Sequence, residues 1–496
     1  MSGHGQSRRR SSDASSSGRS IPTSDHHRRR FKRTSGTSSA GSPASRRPAS
    51  WVILNLAGFP GDRTTSAVSR TSAGEAISAS LELVEPPGTS VLTLDMPELA
   101  SPPAASRELN MQILAADRDV VLFGMTFHPK RSPCDGADDY FVYRASTSTD
   151  PSPRPSLSLL PVHYEEHQFY HRYPVQHRLF YTGILSCSGS KDSSSLPPFI
   201  IAELDKEYGY GRQADVDLCR LLVYRSVSNE WEVFKNVHVH GTDGGRALRY
   251  WTTDAVVPYR RRFLIWVDYY RGMIVADMSS QSEKNLLPPT LRYVPLPLGT
   301  VPDNDPDDRE HGRGIPRSSR SLCATRSGIK FVSVDTQHVS SFGVGLAHML
   351  TWNQTFRITV WSLRDGDYTW RKGATMYEQE FLDAIDSQGR LFPHVQPEFP
   401  VVNMENPDAV CFQLRKESKD DSDSSDEKET AWMVEVDMKK KVLLAFTDYS
   451  NGTSLSSGDQ EDAIGAARIE SLEGIFISSE LPHYLDPGQA CKKTRQ

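Results

Sequence analysis

A short segment containing histidines and glutamates, His163-Tyr-Glu-Glu-His167, is the first candidate for chemistry in this chain. It matches the H-x-x-E-H pattern of inverted zinc peptidases. On a helix, His163 and His167 would lie one turn apart and hold zinc, and Glu166 would act as the base. Pro161 and Pro174 leave room for only a short helix between them. The competing interpretation is a His- and Tyr-rich loop between two strands.

A second histidine pair, His238-Val-His240, has strand spacing instead. Successive side chains of a strand point to opposite faces, so these two imidazoles would share a face and could chelate a metal. No third ligand stands out, and histidines at a strand end are also common on surfaces. We therefore assign no metal and keep four weak candidates: His163, His167, His238 and His240.

Other catalytic motifs are missing from the sequence. There is no GxxxxGK[ST] or GxGxxG phosphate-binding loop and no GxSxG nucleophile elbow. We therefore assign no catalytic residue and no cofactor, and we expect a protein that is not an enzyme. The alternative is a metal-dependent hydrolase that uses His163, Glu166 and His167.

The first fifty residues form a Ser- and Arg-rich tail with little to bury, and we expect this tail to be disordered. It contains a basic cluster that could act as a nuclear import signal. The acid-poor composition also fits an organellar transit peptide. A third interpretation is a tail that contains no targeting signal. The cluster consists of Arg28, Arg29, Arg30, Lys32 and Arg33.

Charge is distributed unevenly along the chain. The tail has a net charge of +9, while the whole chain has −5, which leaves −14 for the remainder. An acidic body argues against specific nucleic-acid binding. No apolar stretch approaches the roughly 20 residues of a transmembrane helix, and no export signal is evident. We expect an intracellular protein of the nucleus or cytoplasm, with no membrane contact.

The segment Arg262–Asp277 predicts a strand, a tight turn and a second strand. Asp favours turn geometry by bonding its own backbone, and we expect Gly272 to supply a positive φ. We interpret the segment as a structural signature in which Trp266 packs between sheets. Its members are Trp266, Asp268, Tyr269, Tyr270, Arg271 and Gly272.

Many other short apolar runs bounded by turn residues predict strands, and only Met376–Ile385 has helical spacing. Leu218–Trp231 and Phe356–Trp370 resemble each other: each has a strand, a polar turn and a Trp that opens the next strand. Repetition of such units predicts an all-β, propeller-like array of antiparallel four-stranded units. A large β-sandwich is the runner-up.

The composition predicts three regions. Residues 1–50 are the tail, residues 51–450 form a β-rich domain, and residues 451–496 form a polar C-terminal segment. Within the domain, an insertion at about 415–430 contains seven acidic residues and two lysines between its Glu417 and Glu429. We expect this insertion to be disordered.

Seven segments, in this order, are similar to the plant "domain of unknown function 1618" family, which is expanded in grasses. The resemblance spans roughly residues 51–450 and implies no assigned activity, cofactor or catalytic residue. The hairpin unit is also similar to propeller-like domains that follow F-box motifs and bind substrates of ubiquitin ligases. Residues 1–50 lack the helical pattern of an F-box, so that adaptor role is not carried over. The segments are Trp51–Asn55, Asp139–Ala145, Pro155–Pro161, Trp251–Asp254, Trp266–Gly272, Tyr293–Pro297 and Pro407–Phe412.

These observations favour a non-enzymatic interaction module. A propeller presents loops at both rims of a rigid ring, which suits recognition of another macromolecule. We expect the partner to be another protein, whose identity and stoichiometry the sequence leaves open.

Overall fold

A computed structural model provides the structure of the chain. It describes residues 50–55, 59–60, 66–96, 107–129, 137–145, 155–165, 175–187, 197–206, 217–243, 245–279, 287–297, 314–341, 351–387, 389–416, 431–449 and 476–484. The predicted disordered tail, almost all of the acidic insertion, Glu166 and His167 lie outside these ranges.

Strands dominate the described residues. In chain order they are β1 (Val52–Asn55), β2 (Phe59–Pro60), β3 (Ala67–Arg70), β4 (Ala76–Glu82), β5 (Thr89–Asp95), β6 (Arg107–Asp117), β7 (Val120–Pro129), β8 (Ala137–Arg144), β9 (Ser156–Leu159), β10 (Tyr164–Glu165), β11 (Val175–Gln176), β12 (Thr182–Ser186), β13 (Phe199–Asp205), β14 (Leu218–Arg225), β15 (Glu230–His240), β16 (Ala255–Tyr259), β17 (Phe263–Asp268), β18 (Gly272–Asp277), β19 (Thr290–Pro295), β20 (Arg320–Thr325), β21 (Gly328–Ser341), β22 (Thr351–Leu363), β23 (Trp370–Tyr377), β24 (Glu398–Val402), β25 (Ala409–Arg415), β26 (Ala431–Asp437), β27 (Val442–Tyr449) and β28 (Phe476–Ser479).

Within the described ranges, the helices are few and short. They are α1 (Pro316–Ser319), α2 (Glu378–Asp386), and two 3-10 helices at Arg246–Leu248 and Leu481–Tyr484. The predicted helix at Met376–Ile385 is confirmed as α2, which starts two residues later. Among the described residues, none of these helices has the length and apolarity to cross a membrane.

The strands form successive four-stranded antiparallel sheets, which we call blades. Blade 1 is β6–β9, blade 2 is β12–β15, blade 3 is β16–β19, blade 4 is β20–β23 and blade 5 is β24–β27. Blade 6 combines distant parts of the chain in the order β28-β1-β5-β4-β3, with β2 paired to β5. At one place β15 also pairs in parallel with β19, which joins the outer strands of blades 2 and 3. The predicted all-β, propeller-like array is confirmed.

The first strand of each blade lies on the inside of a ring. These innermost strands contact one another in the order β6, β12, β16, β20, β24 and β28, and β28 contacts β6 again. The ring is closed by pairing of β28 with β1, in which Val52 lies opposite Ser479 and Asn55 opposite Phe476. The described fold therefore uses residues 476–484 as well as the predicted domain at 51–450.

Six clusters of buried residues fill the spaces between successive blades. Strand alternation explains how one sheet can serve two clusters, because neighbouring side chains point to opposite faces. In β17, Leu264 and Trp266 pack towards blade 2, and Ile265 and Val267 pack towards blade 4. Each sheet is thus buried on both faces, which explains the apolar runs in the sequence.

Three tryptophans reinforce these interfaces through their indole N–H groups. Each donates to a backbone carbonyl of the preceding blade or of a residue immediately before or after that blade. The pairs are Trp231 with Pro161 (2.7 Å), Trp266 with Tyr181 (3.2 Å) and Trp370 with Pro295 (2.8 Å). Trp231 and Trp370 are the two that the internal similarity of the sequence singles out.

Candidate functional site: the channel inside the ring

A cavity of about 320 Å³ lies inside the ring of innermost strands. Residues of β6, β16, β20, β24 and β28 line it, together with Tyr269 and Arg317. Its charged lining residues are Asp117, Arg118, Arg260, Arg317, Arg320, Arg326 and Glu480. We call this cavity the channel.

The innermost strands tolerate residues that a central strand would not. Pro258 in β16 and Pro400 in β24 both line the channel. Proline lacks a backbone N–H, so it is confined to strands with one unpaired edge. The channel provides that edge, because each of these strands has a hydrogen-bonded partner on its outer side only.

The signature turn lies at one end of the channel, and Asp268 shapes it. Oδ1 of Asp268 accepts from the backbone N–H of Tyr270 (2.9 Å), and Oδ2 accepts from that of Thr252 (3.0 Å). Nε of Arg271 lies 3.7 Å from Oδ2. Asp268 and Arg271 are both buried, so this carboxylate and guanidinium are desolvated and contribute to the local structure.

Gly272 acts in a different way from our prediction. It does not have a positive φ, so the expected turn geometry was wrong. Gly272 pairs with Asp268 in the β17–β18 ladder, and a Cβ at this position would lie 2.6 Å from the ring of Tyr293. The glycine therefore permits the close approach of a tyrosine, whose hydroxyl donates to the carbonyl of Arg271 (3.0 Å).

The signature turn also positions two arginines of the channel. Nη1 of Arg320 donates to the carbonyl of Tyr269 (2.7 Å), and its guanidinium lies 5.1 Å from the ring centre of Tyr270. Nε of Arg317 donates to the carbonyl of Asp254, and the carboxylate of Asp254 accepts from the N–H of Tyr269 (2.7 Å). We call this end of the channel, with Tyr269, Arg317 and Arg320, the signature mouth.

Among the described residues, neither arginine of the signature mouth has a close anionic partner. In the part of the chain that the structure describes, no carboxylate lies within 4.0 Å of Arg317 or Arg320. Burial lowers the pKa of Arg317, which Tyr269 and Asp254 partly oppose. Two guanidinium groups whose donors are mostly unused thus face a cavity.

The opposite end of the channel is neutralised internally. Nη1 of Arg118 donates to the hydroxyl of Tyr484 (2.8 Å) and lies 3.7 Å from Oε2 of Glu480. Nε of Arg326 lies 3.4 Å from Oε1 of Glu480, and its Nη2 lies 2.8 Å from Nε2 of His483. These contacts join blades 1, 4 and 6, and they leave less positive charge for a ligand than the signature mouth does.

One carboxylate near this end has an altered protonation equilibrium. Burial raises the pKa of Asp117 to about 7, although the N–H of Ser186 (2.8 Å from Oδ2) and the positive charge of Arg118 oppose the shift. Asp117 lines the channel. The charge of the channel wall therefore changes near neutral pH.

The predicted histidine pair at His238 and His240 lies on one face of β15. The two exposed rings are 4.8 Å apart. Within the described ranges, no group of three or more His, Cys, Asp or Glu side chains is arranged to hold a metal ion. The pair remains a weak metal candidate.

His163 precedes a strand, not a helix. Tyr164 and Glu165 form β10, which pairs with β11, and the carbonyl of His163 accepts from the N–H of His177 (2.9 Å). The rings of His163 and His177 lie 6.1 Å apart. Because Glu166 and His167 lie outside the described residues, the hydrolase hypothesis stays a prediction.

Sequence analysis missed the two arginines of the signature mouth. They lie in Ile315-Pro-Arg-Ser-Ser-Arg320, where their spacing resembles that of many surface arginines. The signature turn was the one sequence feature that pointed to this site, because the backbone carbonyl of Tyr269 in that turn accepts from Arg320. Sequence alone did not show that the turn and this segment meet.

Fold and site together define a propeller-like β protein with an arginine-bearing channel. A family model described as "Protein of unknown function (DUF1618)" matches residues 266–411, a range that begins at Trp266 of the signature turn. This match supports the DUF1618 family for that part of the chain.

Two further comparisons add little. No curated protein matches the chain. One solved structure, a tail fiber of Staphylococcus aureus phage P68, is 10% identical and aligns over 79% of this chain and 84% of that one, with a TM-score of 0.12. That score is too low to indicate a shared fold.

Proposed function

We propose that this protein is a non-enzymatic interaction module whose signature mouth binds an acidic segment of a partner protein. The observation that carries the proposal is the pair Arg317 and Arg320, which line the channel without a carboxylate within 4.0 Å among the described residues. Their positive charge would be balanced by a ligand.

Arginine chemistry favours a carboxylate ligand at this mouth. The guanidinium is planar, always charged and able to donate two parallel hydrogen bonds to one carboxylate. Arg320 uses one donor on the Tyr269 carbonyl, and its guanidinium also lies against the ring of Tyr270. A partly buried arginine that is held in place loses little entropy on binding, so both contacts prepare the site for a ligand.

The groups beside the arginines favour binding over catalysis. Cys323 lines the channel, but burial raises the pKa of its thiol, which disfavours the nucleophilic thiolate. Burial likewise raises the pKa of Tyr269, whose hydroxyl already accepts from the N–H of Leu322 (3.1 Å). Neither group is activated for attack on a substrate.

A fluorescein-labelled hexaglutamate peptide tests the proposed function. We expect saturable binding by fluorescence anisotropy and a loss of at least about tenfold in affinity for Arg320→Gln, because each charge-assisted hydrogen bond contributes about 1.5–3 kcal/mol. Arg317→Gln should weaken binding as well. Arg364→Gln is the matched control, since Arg364 is exposed in the β22–β23 turn. Equal affinities of Arg320→Gln and Arg364→Gln would refute the proposal.

We also propose that the basic cluster at 28–33 directs the protein to the nucleus. The support is the sequence itself, in which five cations lie within six residues. The test is the distribution of a fluorescent fusion in plant cells, with the five cations replaced by Gln. Nuclear signal should fall in that variant, and an unchanged distribution would contradict a targeting role.

A further inference from the structure

A second positively charged cavity lies between blades 4 and 5, apart from the channel. It has a volume of about 230 Å³ and shares no lining residue with the channel. Four cations line it, and Asp408 is the one acidic lining residue among those described. We call this cavity the basic groove. Its cations are Lys330, Arg371, Lys372 and Lys439.

Three of its polar side chains form a row across blade 4. Lys330 of β21 lies opposite Ser362 of β22, which in turn lies opposite Arg371 of β23. Residues directly opposite each other in paired strands point to the same face, with Cβ atoms roughly 5 Å apart. Nζ of Lys330 donates to Oγ of Ser362 (2.8 Å), so the amine and the hydroxyl are held together. An amine, a hydroxyl and a guanidinium therefore share one face.

A bulge in the sheet opens the groove beside this row. The register of β22 and β23 shifts between Thr359 and Trp361. Two residues of β23, Gly373 and Ala374, therefore lie opposite the single residue Val360 of β22. A Cβ on Gly373 would lie 2.9 Å from the carbonyl oxygen of Val360, so the local backbone requires glycine. Bulges of this kind redirect side chains and frequently occur beside functional sites.

Among the described residues, one carboxylate faces the four cations of the basic groove. That carboxylate, Asp408, is already bonded to Lys439 (2.7 Å), and both residues belong to blade 5. Burial lowers the pKa of Lys330; Lys439 and Arg371 lower it further, while Asp408 opposes them. Among the described residues, the guanidinium of Arg371 has no hydrogen-bond or ion-pair partner. An anion in the groove would relieve this repulsion.

We propose that the basic groove binds a phosphoryl group. A phosphate ester carries a charge of about −1.5 to −2 and three strong acceptor oxygens, which exceeds what one carboxylate offers. Lys330, Ser362, Arg371 and, from the other wall, Lys439 would donate to those oxygens. Arginine supplies a fork and the lysines supply compact charges, a combination that suits phosphate. This proposal does not depend on the signature mouth.

Two probes identify the source of the phosphoryl group. One is a fluorescein-labelled peptide that contains a single phosphoserine flanked by Gly and Ser, and the other is inorganic phosphate used as its competitor. We expect saturable binding of the phosphopeptide by anisotropy, displacement by phosphate, and no binding of the unphosphorylated peptide. If inorganic phosphate raises the Tm of the protein at a lower concentration than the phosphopeptide does, the natural source is a free phosphate compound. If the phosphopeptide raises the Tm at the lower concentration, the natural source is a phosphorylated protein.

Matched variants keep this test specific. Arg371→Gln should lose at least about tenfold in affinity for either probe, because one charge-assisted fork is removed. Lys440→Gln neighbours the groove but is not part of its lining, and it should bind as the unaltered protein does. Absence of saturable binding, or equal losses in Arg371→Gln and Lys440→Gln, would overturn the proposal.

Discussion

At the scale of single residues, Asp117 links the channel to pH. Its pKa of about 7 in the folded protein exceeds the usual value of an Asp in an unfolded chain, about 3.9. Between these values the folded state binds more protons than the unfolded state. The free energy of unfolding therefore falls as pH rises from about 4 to about 7 and levels off above that.

Asp117→Asn should remove this dependence. Asn keeps an oxygen for the N–H of Ser186 but cannot ionise. Relative to the unaltered protein, we expect Asp117→Asn to gain about 2–3 kcal/mol in free energy of unfolding between pH 5 and pH 8. Urea unfolding at both pH values measures the difference, in which the contributions of other groups largely cancel. Parallel pH profiles for the two proteins would show that Asp117 ionises normally.

Gly272→Ala should be destabilising because of Tyr293. The added Cβ would lie 2.6 Å from the tyrosine ring, and relief of such a clash in a packed core costs about 1–3 kcal/mol. The control is a double-mutant cycle with Tyr293→Ala, which removes the clashing ring. We expect Gly272→Ala to cost clearly less in that background. An equal cost in both backgrounds would mean that the backbone, and not the ring, requires glycine.

The predictions for single residues were accurate only where the role of a residue depends on residues close to it in the chain. Asp268 bonds the N–H of Tyr270 two residues on, which is a local interaction that the residue type predicts. The role of Gly272 depends on Tyr293, which lies more than twenty residues away in the chain. Arg317 and Arg320 gain their importance from the closure of the ring. No local pattern reports such contacts.

At the scale of secondary-structure elements, the sequence predicted most outer strands and the innermost strands β12 and β20, but it missed three other innermost strands. β13, β17 and β25 are buried on both faces, so their sequences are continuous apolar runs. β16 and β24 contain proline and β28 has only four residues. None of these three was predicted. Proline within the strand or a very short strand interrupts the apolar run that marks a strand in sequence, so these three lack the usual signal.

Leu481→Ala should loosen the strand that closes the ring. Leu481 follows β28 and is fully buried between blades 6 and 1. Loss of a buried leucine side chain costs about 2–5 kcal/mol, because transfer and cavity contributions add. Urea unfolding measures this cost, and hydrogen exchange at Val52–Asn55 should accelerate since β1 pairs with β28.

Leu444→Ala provides the matched control, since Leu444 of β27 is 45% exposed. We expect it to change the free energy of unfolding by less than about 1 kcal/mol and to leave exchange at Val52–Asn55 unchanged. Similar effects of both variants would show that the closing strand has no special role.

At the scale of the whole molecule, the ring gives every blade two neighbours. Each of the six buried clusters joins two blades, so no blade can unfold without exposing apolar surface on both sides. We expect unfolding in urea to follow the same transition by tryptophan fluorescence and by far-UV circular dichroism. Transitions at separate urea concentrations would indicate that part of the ring unfolds independently.

The union of β28 with β1 also has a consequence for synthesis on the ribosome. β1 emerges early, but its antiparallel partner at Phe476–Ser479 emerges more than four hundred residues later. Throughout that interval the nascent chain exposes an unpaired strand edge of apolar residues, which is a site for aggregation or for chaperone binding. We therefore expect newly made chains to require protection of one short strand, Val52–Asn55, until β28 has been synthesised.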